Sequence, residues 1–369
     1  MSAQYIKHGK NAQVDDVVFL TDKRPDKKGK LKERPWRAHK RISSLLSESY
    51  GRIGEYGKAY YCADCGSRLD FKIFSDGSKT LHNASFCRVR LCPMCAWRRS
   101  LKIFGQVSKV MDYLSEDCNY KYIFLTFTVK NVVGDDLSKS IDALMLAWKQ
   151  LGKRKEFRKV SQGSFRALEV KKRIERTDYH PHIHAIVMVN KSYFTENSVY
   201  LSHAEWQSLW RQCANLDYDP QVDVRVVKPD EKKGDDTIAQ SDATQKVATY
   251  SEAVAEVAKY AVKGSEFILD ARQMAKDVGL SIESNGYKQL EKFCRAYTDE
   301  VVTVLDSALK GRRLVSFGGK MREVHKLLNL DDPEDGDLIN TDNEDIRDDL
   351  GYVIETYRWH IGYMNYVLE

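Results

Sequence analysis

Tyr179-His-Pro-His-Ile-His-Ala-Ile-Val-Met-Val189 sets His180, His182 and His184 on alternate positions ahead of an apolar run. Side chains at i and i+2 of a strand share a face. The three imidazoles therefore point one way, while Ile183, Ala185, Val187 and Val189 point the other. Imidazole is a common ligand for first-row metals, and two on one strand face can bind one ion. An ordinary polar strand face shows the same alternation, so the surrounding chain has to decide.

Residues 164–172 read as the preceding strand, and the short polar link Arg173–Tyr179 makes the pair a hairpin. A turn centred near Glu175–Arg176 brings Glu169 opposite His182 or His184. Alone, Glu169 would be a solvent-facing carboxylate. Beside two imidazoles it completes a three-ligand site with open positions, which suits a catalytic divalent cation better than a closed structural one. Tyr120–Val129, aromatic and β-branched, reads as a further strand central in the sheet. Helices are expected at 136–160 and 203–215, and a strand at 221–228. After a charged linker, Glu252–Lys263 has the alanine-rich spacing of a helix, on which Glu256, Tyr260 and Lys263 fall at i, i+4 and i+7 and share one face. A plain surface helix would carry the same residues.

Upstream, Cys62-Ala-Asp-Cys65 is followed by Cys87-Arg-Val-Arg-Leu-Cys92-Pro-Met-Cys95. Two Cys-x-x-Cys knuckles can wrap one tetrahedral zinc, each turn presenting two thiolates. Five cysteines compete for four places. Spacing alone favours Cys62 over Cys87, with His82 a remote substitute. Arg88, Arg90, Arg98 and Arg99, beside Trp97, suit phosphate contacts, although zinc modules of this size often serve only to hold a fold. A helix is expected from Cys95 to about Tyr113.

The 369 residues carry a net charge of +6, but Asp331–Asp349 holds ten acids and one base, so the remainder carries +15. Such a basic body suggests a polyanionic partner, most simply nucleic acid. The acidic stretch reads as an exposed loop. No apolar run approaches the roughly 20 residues that cross a bilayer, and the N-terminus lacks a signal-peptide core. Eight cysteines without an export signal fit metal binding better than disulfides. The expectation is a cytoplasmic protein with no membrane partner.

Taken together, these pieces resemble the HUH endonucleases, specifically the replication initiators of small bacterial rolling-circle plasmids. His182-Ile-His184 is a His-hydrophobic-His motif, and Tyr260-Ala-Val-Lys263 matches the accompanying Tyr-x-x-Lys. Phe124–Lys130 resembles the family's first conserved strand, and Phe86–Ser100 its cysteine motif. The resemblance implies an α+β fold with an antiparallel central sheet of about five strands flanked by helices. It implies nicking of one strand at the plasmid's double-strand origin, with Tyr260 as nucleophile leaving a 5′-phosphotyrosyl bond and a 3′-hydroxyl primer. His182, His184 and Glu169 would hold Mn²⁺ or Mg²⁺, and Lys263 would neutralise phosphate charge. Glu256 would activate water at termination, and Arg98, Arg99 and Lys259 would touch DNA. For the zinc, the family pattern favours Cys65, Cys87, Cys92 and Cys95. A host helicase and polymerase are expected partners, with room for a homodimer.

The expected layout is a basic arm (1–45), a zinc-binding module and helix (46–115), a nuclease domain (116–270), a helical DNA-binding region (271–330), the acidic loop (331–349) and a strand-like C-terminus docking on the core (350–369). Three rivals remain at this point. The first is a related relaxase or transposase. The second is a histidine-triad nucleotide hydrolase, in which a histidine attacks phosphorus. The third is a non-enzymatic zinc-stabilised DNA-binding protein.

Overall fold

The computed structural model describes residues 17–25, 29–116, 119–230, 247–259, 262–341 and 351–369. A short hairpin, β1 (Lys23–Pro25) and β2 (Leu31–Glu33), leads into α1 (Trp36–Arg52) and α2 (Tyr56–Asp64). Trp36, Lys40, Ser43, Leu46 and Tyr50 form the buried stripe of α1 at helical spacing. The expected boundary at residue 45 therefore falls inside one continuous helix. β3 (Arg68–Phe74) and β4 (Lys79–Ala84) precede α3 (Pro93–Ser115), which opens with proline in its first turn, where no amide partner is lost.

β5 (Tyr120–Thr128) begins the central sheet. The helix expected over 136–160 is two, α4 (Gly134–Leu151) and α5 (Lys155–Val160), separated at Gly152. The redirected chain buries Phe157 and Val160. β6 (Ser161–Lys172) and β7 (Tyr179–Asn190) form the hairpin, followed by α6 (His203–Cys213), β8 (Val222–Lys228), β9 (Val247–Thr249) and α7 (Tyr250–Val257). The remainder is α8 (Gly264–Phe267), α9 (Ala271–Asp277), α10 (Asn285–Leu309), β10 (Val315–Gly318), α11 (Gly319–Leu327), β11 (Tyr352–His360) and β12 (Asn365–Leu368).

The central sheet has six strands in the order β10-β6-β7-β5-β8-β9. It is not wholly antiparallel, because β8 and β9 pair in parallel. The extra edge, β10, comes from the segment expected to be helical. Gly318-Gly319 is the junction of β10 with α11. Gly319 has φ +55°, and a Cβ there would lie 2.6 Å from the Gln162 carbonyl oxygen, so only glycine lets this edge close on β6.

Alternation then sorts the faces. Phe127 on β5 packs against Trp148, Trp206 and Trp210 of α4 and α6. The opposite face carries Tyr122, Phe124 and Thr126 with His182 and His184, and α7 lies across it. A second sheet, β12-β11-β3-β4, joins the C-terminus to the cysteine region.

Candidate active site

Pairing of β6 with β7 sets Glu169 directly opposite His182, with His184 one step along the same face. Glu169 Oε2, His182 Nε2 and His184 Nε2 lie 3.0 Å from one another. All three residues are buried. An octahedral ion with ligands at about 2.1 Å spaces neighbouring ligand atoms about 3 Å apart, so the donor set fits a single divalent cation. His182 Nδ1 donates to the His180 carbonyl at 3.2 Å, which fixes the tautomer and leaves Nε2 as a lone pair. His184 Nδ1 lies 3.0 Å from the Thr126 hydroxyl on β5. Three acceptor atoms this close need a shared proton or a cation between them.

The charges agree with the geometry. Burial would raise the Glu169 carboxyl, but the two imidazoles outweigh it and hold the group well below the usual carboxylate range. Burial lowers the His184 imidazole, against the pull of Glu169 and Glu256. The trio thus favours an ionised carboxylate with a neutral His184 ring, the forms that ligate metal. Glu256, from α7, stands at the rim with Oε1 3.5 Å from His184 Nε2. Its other oxygen pairs with Lys259 Nζ. His180 is drawn aside: Nδ1 lies 2.7 Å from Asn131 Oδ1, and burial first, then His182 and Lys171, lower it to about 4.

The second candidate metal site lies where α3 begins. Cys65, Cys87, Cys92 and Cys95 converge, with Sγ separations of 3.5 Å for Cys65–Cys95, 3.6 Å for Cys65–Cys92 and 3.7 Å for Cys87–Cys95. Tetrahedral zinc with Zn–S near 2.3 Å spaces its sulfurs about 3.8 Å apart. The backbone amides of Cys87 and Arg88 point at Cys65 and Cys95 sulfurs, the latter from a left-handed turn at Arg88 with φ 58°. Cys62, favoured by spacing alone, is buried next to the set, its sulfur 4.0 Å from that of Cys87. His82 is exposed on β4 and outside the cluster.

Comparison with known proteins then decides the family. A model of a replication protein family matches residues 78–367. The chain belongs to that replication protein family. Its relatives include "Protein rep" of Bacillus amyloliquefaciens, 38% identical over 93% of this chain and 96% of the relative. "Protein rep" of Streptococcus pneumoniae is 32% identical over 93% of the chain and 95% of the relative, and a "Replication protein" of Staphylococcus aureus 31% identical over 68% and 92%. No solved structure matches. The resemblance to plasmid rolling-circle replication initiators, read from the sequence, stands. Among the described residues no helix is long and apolar enough to cross a membrane.

For this replication protein family member, several expected site residues lie elsewhere than the sequence suggested. Tyr260 falls outside the described residues. α7 ends at Val257, capped by Ala258, short of the expected Lys263. Ala258 and Lys259 are no longer helical despite alanine's propensity, and further on Val262 and Phe267 are buried. Lys263 instead caps α8 in extended backbone, Nζ 3.7 Å from Glu266.

Arg98 and Arg99, expected to touch DNA, face inward. Both are buried, Arg98 donating to the carbonyls of Leu338 and Ile339 and Arg99 to those of Glu334 and Arg88. The acidic stretch is correspondingly no exposed loop over its described part. Glu334, Leu338 and Thr341 are buried there, and Lys102 pairs with Asp331 at 2.5 Å. Residues 342–350 lie outside the described residues. Basic groups of the expected DNA-binding region are also engaged internally, Arg312 with Asp142 and Arg313 with Asp332.

Sequence reading missed Thr126, Asn131 and Lys171. Lys171 lies two residues from Glu169 on the same face, its Nζ 3.9 Å from Oε2, and is 41% exposed. Strand parity could have found Lys171 and Thr126, since both share the face of the ligands.

Proposed function

We propose that the protein initiates rolling-circle replication of a plasmid by cutting one strand at the double-strand origin. The Tyr260 phenol oxygen gives up its proton and attacks the scissile phosphorus, the P–O3′ bond breaks, and the departing 3′ oxygen takes up a proton and becomes the primer end. The 5′ side stays joined to Tyr260 as a phosphodiester. Glu169, His182 and His184 would hold a divalent cation, whose contribution when bound is Lewis-acid relief of charge on the scissile phosphate. Two imidazoles beside one carboxylate favour Mn²⁺ over Mg²⁺. Lys171 stands near enough to the trio to meet a phosphate. Glu256 serves as the base that draws a proton from water when the adduct is hydrolysed at termination. Host helicase and polymerase would extend the freed end, and a second copy of the chain could share the origin.

The mutual 3.0 Å approach of Glu169, His182 and His184, with Glu256 at its rim, carries this reading. Tyr250 is the poorer nucleophile. Its ring packs edge-on against Tyr122 at 5.4 Å, and burial, with Tyr122 beside it, raises its phenol.

The test is incubation of the protein with supercoiled DNA carrying its own plasmid's origin, with and without Mn²⁺. The expected product is an open circle with covalently bound protein, the linkage mapping to Tyr260 and absent from Tyr260→Phe. An adduct at Tyr250, or an intact circle under every divalent ion, would overturn it.

A further inference from the structure

A cavity of about 440 Å³ lies between α3 and a wall formed by residues 255–259 and 262–265. One wall is the outer face of α3, where Trp97, Leu101 and Phe104 follow one another at i, i+4 and i+7 and stay half-buried. Val262, Lys259 and Lys263 line the other side. The Trp97 ring is fixed in place, stacked on His39 at 5.0 Å and edge-on to Trp36 at 4.7 Å. The walls close at Gly264, where a Cβ would lie 2.8 Å from Pro93 Cγ. The cavity adjoins the metal centre: Lys259 pairs with Glu256, whose second oxygen reaches His184.

An aromatic, apolar slot with two lysines that reach solvent, 30% and 47% exposed, complements a nucleobase and its phosphate. A protein or lipid occupant would leave unexplained why the slot opens beside a phosphate-cleaving centre. We propose that this cavity is a base-binding subsite, in which an unpaired base next to the scissile phosphate stacks against α3 while Lys259 and Lys263 face the phosphates. The inference rests on the function proposed above. It makes the cysteine cluster part of substrate recognition, because Cys92 and Cys95 anchor the start of the helix that carries Trp97 and Phe104.

The experiment uses the full chain and single-stranded oligo(dT) without cleavage. 5-Iodouracil in the oligonucleotide, on irradiation, should cross-link to Trp97 or Phe104, located by mass spectrometry. Leu101→Trp, which fills the slot, and Phe104→Ala, which removes a ring, should each weaken oligo(dT) binding about tenfold in fluorescence anisotropy. Binding of a nonspecific duplex should be unchanged. Cross-links confined to other elements, or undiminished oligo(dT) binding in both variants, overturn the subsite even if origin nicking is normal. Cross-linking at α3 in a protein that cuts no origin leaves the subsite standing and the nicking reading refuted.

Discussion

The Thr126 hydroxyl lies 3.0 Å from His184 Nδ1, and that bond turns the ring's Nε2 toward Glu169. Partners of this kind set ligand orientation and basicity, and their loss typically lowers metal affinity about 10- to 100-fold. Thr126→Val keeps the shape and removes the hydroxyl. The Mn²⁺ concentration for half-maximal nicking should rise by at least about tenfold, with the rate at saturating Mn²⁺ largely restored. An unchanged Mn²⁺ requirement would show that the hydroxyl orients nothing. Glu256 is different in kind, because it sits at the rim, 31% exposed, where water can reach it. Glu256→Gln keeps the volume and removes the base. Formation of the Tyr260 adduct should persist while its hydrolysis slows about 100-fold, seen as an adduct that accumulates on denaturing gels. Hydrolysis at the normal rate would remove Glu256 from the mechanism.

Among the elements, the long strands were legible because alternation is a local property. The β6–β7 hairpin link is short enough that counting residues brings Glu169 opposite His182 or His184, and the observed register pairs it with His182. The end of α7 was not legible, since the burial of Val262 and Phe267 in the core is a tertiary feature that local spacing does not carry. β10 was hidden for a related reason: four residues, two of them apolar, carry too short a pattern to stand out between helices. The acidic stretch misled by composition. Its charges suggested solvent, yet Arg98, Arg99 and Lys102 on α3 are buried and take their acceptors from it. Arg98→Ala would leave the buried Leu338 carbonyl without its donor, at a cost of about 1–3 kcal/mol, and the half-buried Ile339 carbonyl without its own, at a smaller one. Thermal or urea unfolding should show a loss of about 2–4 kcal/mol. If stability is unchanged and only DNA affinity falls, Arg98 contacts DNA after all.

At the scale of the whole molecule, the two ends of the described chain close on one another. β11 lies between β3 and β12, so the last strands complete the sheet that leads into the cysteine cluster. Tyr366, buried on β12, donates its hydroxyl to the Gly66 carbonyl at 2.7 Å, one residue beyond Cys65. Gly66 itself needs its φ of +64° to turn away from Cys65, and a Cβ there would meet Met94 at 3.0 Å. Removal of residues 352–369 would therefore strip β3 of one ladder and turn it into an edge strand. It would also uncover Leu69 and Phe71, now buried, and free the turn that holds Cys65. Because a structural metal site and its surrounding fold stabilise each other, the truncated protein, loaded with zinc, should lose it to a chelator at least about tenfold faster than the full chain loaded in the same way. Proteolysis should then open 36–100 first, while the β6–β7 hairpin, which makes no ladder with β11 or β12, stays protected. Zinc retention equal to that of the full chain would show that the cysteine module stands without the C-terminus. The two sheets would then be independent units and not one framework that ties the cysteine cluster to the Glu169–His182–His184 group.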